Sequence, residues 1–169
     1  MAEFLLTTQR LGLHLLDKLE TVDLLSLKNE LVSPLSALYL THHFWDALTE
    51  ARLNYSLLNY ANQGLPAFGI YELATGQLIG HAGFSLLPDG EIEIGYMLNK
   101  SHWGFGYAGE ALEALLNWSK IHISARYIIA YMPAQHKSSL RVLQKCGMQH
   151  YKDESVQGVI CSFYRIRNN

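Results

Sequence analysis

The chain has 169 residues, of which 49% are hydrophobic, and its formal net charge at pH 7 is −2. This size and content suit one compact domain, residues 1–169, and the near-neutral charge leaves no basic face for a nucleic-acid partner. No apolar run is long enough to cross a bilayer, and the apolar run at the N-terminus is too short for a signal peptide.

The predicted elements follow the order β-α-α-β-β-β-α-β-α-β-β. Strands are predicted where apolar residues alternate or run together, and helices where they recur every three or four residues. A run of hairpins followed by a β-α-β crossover implies an α/β fold with a mixed α+β sheet and helices on its faces. The predicted strands are 9–16, 67–73, 77–87, one from 91, 127–132, 149–155 and 159–167, and the predicted helices are 21–32, 41–61, one ending near 122, and 137–145.

The stretch 91–109, EIEIGYMLNKSHWGFGYAG, joins a strand, a glycine-rich loop and the start of a helix. Glycines let backbone N–H groups approach a phosphate closely, and a helix start adds a partial positive charge of about half a unit. The pattern therefore predicts an anion-binding turn. A purely structural turn, in which glycine only satisfies the backbone angles, is the alternative. The three glycines of the loop are Gly104, Gly106 and Gly109.

The loop differs from two common phosphate-binding motifs. A dinucleotide fold places G-x-G-x-x-G after its first strand, with an acidic residue about 20 positions later. Here the glycines follow a late strand, and Arg126 occupies the position of the acidic residue. The nucleotide-triphosphate loop G-x-x-x-x-G-K-S/T is absent. These departures disfavour a nicotinamide-binding domain.

The segments IGYML and SHWGFGYAGEALEALLNW resemble the cofactor-binding core of the GNAT N-acetyltransferase superfamily. They are most similar to its RimJ/RimL-type branch, which reads IGYWL and then WGxGYAxEA. The superfamily motif Q/R-x-x-G-x-G/A falls on Trp103, Gly106 and Ala108, and Trp in the first place is common in this branch. The resemblance covers nearly the whole chain and implies the GNAT fold, whose element order agrees with the predicted one.

The resemblance implies acetyl-CoA as the acetyl donor. In the family, the pyrophosphate rests on the N–H groups of the glycine loop. The pantetheine arm pairs with a splayed strand at a bulge, where one N–H can also stabilise the oxyanion. The strand side chains themselves are expected to pack in the core. Carried over by residue, the strand contacts fall on Tyr96, Met97 and Leu98, and the loop contacts on Trp103, Gly104, Phe105, Gly106, Tyr107, Ala108 and Gly109.

Acetyl transfer also needs a base, because a protonated amine has no lone pair with which to attack. Glu93 lies four residues before Met97 on the expected polar face of its strand, where GNAT enzymes often place a catalytic glutamate. Glu91, on the same face, is the second candidate, and a base acting through a water chain is a third option. For both glutamates the alternative is a solvated strand face.

The segment HKSSLRVLQKCGM matches the RimJ/RimL pattern N-x-x-S-x-R-V-L-x-K-x-G-F. Ser139 matches the family serine and could hydrogen-bond the sulfur or the pantetheine arm, although a polar residue early in a helix is common. His136 replaces the family asparagine and can still donate to the cofactor. Gln144 stands where many GNAT enzymes carry a tyrosine that serves the leaving thiolate, so that acid is missing.

The resemblance places the acceptor amine between residues 38–45 and 153–158. Asp153 and Glu154 could attract a cationic amine, or could simply form a charged loop tip. His81 is a comparably weak candidate. Aromatic stripes are more often core than binding site. The candidates in the first segment are Tyr39, His42, His43, Phe44 and Trp45.

The two cysteines, Cys146 and Cys161, suggest reduced thiols in a cytoplasmic protein. The eight histidines are scattered, and none shares the i, i+4 spacing beside a glutamate that zinc sites use, so we expect no metal site.

The sequence thus predicts an acetyl-CoA-dependent N-acetyltransferase that acts on a primary amine by direct attack on the thioester. The branch favours a protein N-terminal α-amine, of the ribosomal-protein-alanine type. The alternatives are a small amine, such as a polyamine, an aminoglycoside or an amino acid, and a CoA-binding module without catalysis. Gln144 and His136 motivate the last alternative. Paired sheets are frequent in the superfamily, so a homodimer is a further option.

Overall fold

The computed structural model describes residues 4–15, 64–156 and 158–169, which form one eight-stranded sheet and two α-helices. A single 3-10 turn, Lys100–His102, precedes the first of these helices. The helices are α1 (Tyr107–His122) and α2 (Lys137–Lys145). The strands are β1 (Leu6–Thr7), β2 (Leu11–Leu15), β3 (Ala67–Glu72), β4 (Gln77–Leu86), β5 (Ile92–Leu98), β6 (Tyr127–Pro133), β7 (Gln149–Val156) and β8 (Val159–Arg167).

The strand order across the sheet is β1-β2-β3-β4-β5-β6-β8-β7. Every neighbouring pair is antiparallel except β5 and β6, which are parallel and joined through α1. Parallel neighbours need such a crossover, so the predicted mixed sheet is confirmed. β1 was not predicted, because two residues are too few to show alternation. The predicted helices at 21–32 and 41–61 lie outside the described residues.

The parallel pair β5–β6 separates soon after it begins. β5 pairs with β4 along its whole length, from Ile92 to Leu98, without a register shift. It pairs with β6 only at Ile92 and Glu93. The second half of β5 therefore has one edge that no described strand covers. The bulge expected in this strand is not seen in its pairing with β4; the separation from β6 frees the backbone groups instead.

The main core lies between the sheet and the two helices. Leu112 and Leu115 of α1 are fully buried, and Trp118 stacks on Phe84 of β4 with the ring centroids 5.8 Å apart. Leu143 contributes the buried face of α2. This packing fixes the start of α1 beside the open half of β5. A smaller cluster on the other face of the sheet contains Ile129, Tyr131, Cys161 and Phe163.

Neither described helix is both long enough and apolar enough to pass through a bilayer. In the part of the chain that the structure covers, no three His, Cys, Asp or Glu side chains are grouped so that they could hold a metal ion. Cys146 and Cys161 are both free thiols.

Candidate active site

The glycine loop uses its glycines for two different purposes. Gly104 and Gly106 have φ angles of 83° and 81°, a left-handed conformation that costs other residues roughly 1–2 kcal/mol. Gly109 is already inside α1 and does not have a positive φ. Apart from its chain neighbours and the adjacent helix backbone, no heavy atom lies within 4 Å of the position where its Cβ would stand. The fold therefore needs glycine at the first two positions but not at Gly109.

The first turn of α1 presents backbone donors that the helix itself does not use. Gly106 is the N-cap, and its carbonyl accepts the first helical hydrogen bond from the Glu110 amide at 3.2 Å. The amides from Gly106 to Gly109 precede this bond and therefore have no acceptor within the helix. Together with the helix dipole, they make the turn suited to bind an anion.

An ion pair from the turn between β1 and β2 anchors the start of α1. Arg10 donates to Glu110 Oε2 from its Nε at 2.8 Å, and to the Phe105 carbonyl from its Nη1 at 2.8 Å. Thr8 donates to Glu110 Oε1, and the Arg10 guanidinium lies 4.4 Å from the centre of the Tyr107 ring. Burial alone would raise the pKa of Glu110, but these hydrogen bonds and the Arg10 charge lower it below its usual value. Glu110 is thus held ionised.

A second contact fixes the first residue of α1 to the sheet. Tyr107 donates its hydroxyl to Glu72 Oε1 of β3 at 2.6 Å, and Thr75 donates to Glu72 Oε2 at 2.8 Å. His102 Nε2 lies 3.8 Å from Oε2. The Tyr107 bond is the main cause that lowers the pKa of Glu72, and the same bond raises the pKa of Tyr107. The Tyr107 hydroxyl is therefore already engaged by Glu72.

Trp103 closes the end of β5. Its indole Nε1 donates to the Leu98 carbonyl at 2.8 Å. Asn99 accepts from the Ser101 amide at 3.0 Å and so fixes the turn that follows. Trp103 is 40% exposed and Phe105 is 60% exposed, so both rings lie at the rim of the loop.

A cavity of about 450 Å³ opens beside this loop and continues between β5, β6 and α2. Its volume lies in the range of small-molecule sites, roughly 300–1,000 Å³. The structure brings to its wall every cofactor-site residue predicted from the sequence except Phe105. The wall consists of Tyr96, Met97, Leu98, His102, Trp103, Gly104, Gly106, Tyr107, Ala108, Gly109, Met132, His136, Ser138, Ser139, Val142 and Lys145.

Five of these wall residues were missed by the sequence reasoning: His102, Met132, Ser138, Val142 and Lys145. The last two could have been found. Val142 and Lys145 follow Ser139 in steps of three residues, which places all three on neighbouring positions of one helix face. Met132 and His102 carry no such signal, because only the fold brings their elements to the cavity.

The wall formed by β5 and α2 carries the hydroxyl groups of Tyr96, Ser138 and Ser139. The Tyr96 hydroxyl is buried and has no hydrogen-bond partner of normal geometry among the described residues. Burial raises the pKa of Tyr96 to about 12, while the nearby Ser139 hydroxyl acts in the opposite direction. Gln144 Nε2 donates to the Tyr164 hydroxyl at 3.2 Å and is not among the residues that line the cavity. Burial lowers the pKa of His136, which favours its neutral form.

Glu93 does not line the cavity. It is only 2% exposed, so the alternative of a solvated strand face is wrong for this residue. Glu93 and Tyr96 are three residues apart in a strand without a register shift, so their side chains lie on opposite faces of β5. Glu91 lies one residue before β5 and is half-buried, with its amide bonded to Asp89 Oδ1 at 3.0 Å.

His81 of β4 pairs directly with Met97 of β5 and is therefore on the same face as Glu93. Burial lowers the pKa of His81 to about 4, so the ring is neutral near pH 7. Asp153 and Glu154 lie within β7 and not at a loop tip. Each is paired, with His150 at 2.8 Å and with a lysine at 2.7 Å respectively, and the candidates at 39–45 lie outside the described residues.

Comparison with known proteins relates the chain to acetyltransferases. A sequence model described as "Acetyltransferase (GNAT) domain" matches residues 10–149. The "Uncharacterized N-acetyltransferase p20" of Bacillus licheniformis is 31% identical over 84 residues, which are 48% of this chain and 47% of that protein. The matched part thus spans about half the length of this curated relative.

Two solved structures share the fold. An acetyl transferase of Salmonella typhimurium, described as modifying the N-terminal serine of a 50S ribosomal subunit protein, superposes with a TM-score of 0.78 at 17% identity, covering 98% of this chain and 99% of that one. A spermidine N-acetyltransferase chimera from Vibrio cholerae and hSSAT superposes with a TM-score of 0.73 at 15% identity, covering 95% of this chain and 96% of that one. At these identities the likeness concerns the fold alone.

Proposed function

Because the chain belongs to the acetyltransferase (GNAT) domain family, we propose that it transfers the acetyl group of acetyl-CoA to a primary amine. The observation that carries this proposal is the position of the α1 amides, which meet a cavity leading into the opening between β5 and β6. A diphosphate needs converging donors that no Cβ obstructs. The space at the Cβ position of Gly109 is open, so the approach to the amides there is unobstructed.

In this proposal the diphosphate lies on the amides of Gly106 to Gly109. The pantetheine arm then runs along the uncovered edge of β5, at Tyr96 to Leu98, like an added strand. Ser139 and His136 at the start of α2 contact the arm from the opposite wall. Lys145 supplies a positive charge on the same wall.

The acceptor amine approaches the thioester from the other face of β5. Glu93 lies on that face and is our candidate for the base that takes the amine proton. The Asn99 amide donates to the Ile79 carbonyl, so by antiparallel alternation the Met97 amide also faces β4. The amides of Tyr96 and Leu98 face the uncovered edge, and either is a candidate donor to the oxyanion. The cofactor and the base would thus reach the reacting carbon from opposite sides of the strand.

We favour a protein N-terminal α-amine as the acceptor. The α-amino group has a pKa of about 8, whereas an alkyl amine such as the lysine side chain has one above 10. A useful fraction of an α-amine is therefore already neutral near pH 7, and one buried carboxylate suffices to accept its proton. The resemblance of the β5 and loop motifs to the RimJ/RimL-type branch supports the same choice. A small amine is the runner-up.

Release of CoA from acetyl-CoA, measured with a panel of acceptors, tests these proposals. The panel contains short peptides with free serine or alanine N-termini, the same peptides with blocked N-termini and an internal lysine, spermidine and an aminoglycoside. Turnover restricted to free N-termini supports the α-amine. Turnover with spermidine alone favours the small amine. Binding of acetyl-CoA without any turnover would favour a non-catalytic module.

The variant Glu93→Gln tests the base, with Glu91→Gln as its matched control. We expect the first to lower kcat by about 100-fold or more, in the range typical of general bases, and the second to have little effect. If Glu93→Gln turns over as fast as wild type, Glu93 is not the base.

A further inference from the structure

The proposed reaction releases a thiolate, which needs a hydrogen-bond donor, and Glu93 as the base does not provide one. When the amine nitrogen attacks the thioester carbon, the C–N bond forms and the C–S bond breaks. The sulfur leaves with the electron pair as a thiolate, while the amine proton goes to the base. An alkyl thiol has a pKa of about 8.5, so a thiolate in a buried site gains from a hydrogen-bond donor.

Two tyrosine hydroxyls belong to residues that line the cavity, and they differ in their availability. The Tyr107 hydroxyl donates to Glu72 at 2.6 Å and is engaged. The Tyr96 hydroxyl is buried and has no hydrogen-bond partner of normal geometry among the described residues, although the Ser139 hydroxyl is near enough to lower its pKa. A buried polar group without a partner is costly, roughly 1–3 kcal/mol, and calls for an explanation. A ligand atom in the cavity would supply the missing partner.

Tyr96 lies where the proposed binding mode puts the sulfur of CoA. Tyr96 lies three residues beyond Glu93, where β5 and β6 have already separated. Its side chain shares the cavity wall with Ser139 of α2. A cofactor whose diphosphate rests on the loop extends its thioester along this edge and away from α1. The hydroxyl is thus on the cofactor side of the strand, and Glu93 is on the acceptor side.

We propose that the Tyr96 hydroxyl is a catalytic hydrogen-bond donor to the sulfur of CoA as the C–S bond breaks. This inference rests on the proposed use of acetyl-CoA. Tyr96 donates a hydrogen bond and keeps its proton, since the raised pKa of its hydroxyl makes transfer to a thiolate unfavourable. The proton balance of the reaction is unchanged, because the amine proton still leaves with the base.

The test uses CoA itself and needs no knowledge of the acceptor. The CoA thiol is titrated on the protein through the ultraviolet absorbance of its thiolate, with desulfo-CoA as the blank for protein groups. Binding of CoA is measured in parallel by calorimetry. The variant is Tyr96→Phe, which removes only the hydroxyl. The matched control is Tyr164→Phe, since Tyr164 is also buried in this core but its hydroxyl bonds to Gln144 outside the cavity.

We expect Tyr96→Phe to bind CoA as wild type does and to raise the pKa of the bound thiol by about one to two units. Its kcat should fall by about tenfold or more with any active acceptor, while Tyr164→Phe changes neither quantity. Its melting temperature should not fall, because the lost hydroxyl has no hydrogen bond of normal geometry to any residue that the structure describes.

Three results would overturn the inference. An unchanged thiol pKa in Tyr96→Phe would remove the proposed contact. A shift in Ser139→Ala but not in Tyr96→Phe would transfer the role to the serine. Loss of CoA binding in Tyr96→Phe would make Tyr96 a wall residue only. Failure of wild type to bind CoA is a different outcome, because it refutes the proposed function itself.

Discussion

Replacing Gly109 with alanine should stabilise the protein and weaken its binding of CoA. The position lies in the first turn of α1, does not have a positive φ, and offers open space to a Cβ. Alanine is the better helix former by up to about 1 kcal/mol, so the free energy of unfolding should rise by a similar amount. For a domain of this size, that corresponds to an increase of roughly 2–4 °C in Tm.

Gly109 also lines the cavity. The new methyl group would stand between the loop amides and a phosphate oxygen. Loss of one charge-assisted hydrogen bond, about 1.5–3 kcal/mol, corresponds to a rise in the Kd for CoA of roughly 10- to 100-fold. Calorimetric titration with CoA and thermal unfolding of the same sample measure the two effects together.

Gly90→Ala is the matched control. Gly90 also has open space around it, but its φ of 88° makes alanine unfavourable, and it lies in a hairpin outside the cavity wall. This variant should lose roughly 1–2 kcal/mol of stability and keep the CoA affinity of wild type. The reasoning about the loop is refuted if Gly109→Ala is at least as stable as wild type and binds CoA equally well.

Two further predictions concern the pH dependence of stability. Glu110→Gln should lower the free energy of unfolding by about 1–3 kcal/mol at pH 7, because charged hydrogen bonds to Thr8 and Arg10 are lost. The pKa of Glu110 is lowered in the folded state, so this difference is present above about pH 4.5 and disappears as the pH falls through the folded pKa. Between pH 6.5 and about 4, the free energy of unfolding of wild type should fall by up to about 3 kcal/mol, because only the unfolded chain accepts a proton on His81 in that range. His81→Gln should remove this fall.

Denaturant unfolding at a series of pH values measures both effects. Glu113→Gln is the control for Glu110, since Glu113 is exposed on the same helix. His122→Gln is the control for His81→Gln, because His122 is exposed. A Glu110→Gln difference that persists unchanged below pH 4 would contradict the first prediction. The second prediction would be contradicted if the free energy of unfolding fell equally steeply with pH in His81→Gln and in wild type between pH 6.5 and 4.

Local patterns in the sequence were sufficient to predict most of the described elements. The alternation of Ile92, Ile94 and Tyr96 predicted β5, and the predicted bounds of the last helix agree with α2, Lys137–Lys145. Gly106 was expected in the loop, where its φ of 81° ends the turn and begins α1. These features depend on neighbouring residues, which is why periodicity and turn chemistry report them.

The features that the sequence did not reveal depend on distant residues. Arg10 and Glu110 are 100 positions apart, and no local pattern connects them. Glu93 is a charged residue in an alternating strand, which normally indicates solvent, yet it is only 2% exposed. The side chain of Tyr96 was expected to be ordinary core, because a hydroxyl facing a cavity and one facing packed atoms look alike in sequence.

The Arg10–Glu110 contact has a practical consequence for handling the protein. None of Thr8, Arg10 or Leu11 lines the cavity, yet the first two fix the carboxylate at the start of α1 and the carbonyl of Phe105. An affinity tag fused close to β1, or trimming of the first ten residues, would therefore disturb the cofactor loop from outside. Preparations that differ only at this end of the chain should not be assumed to have equal cofactor affinity.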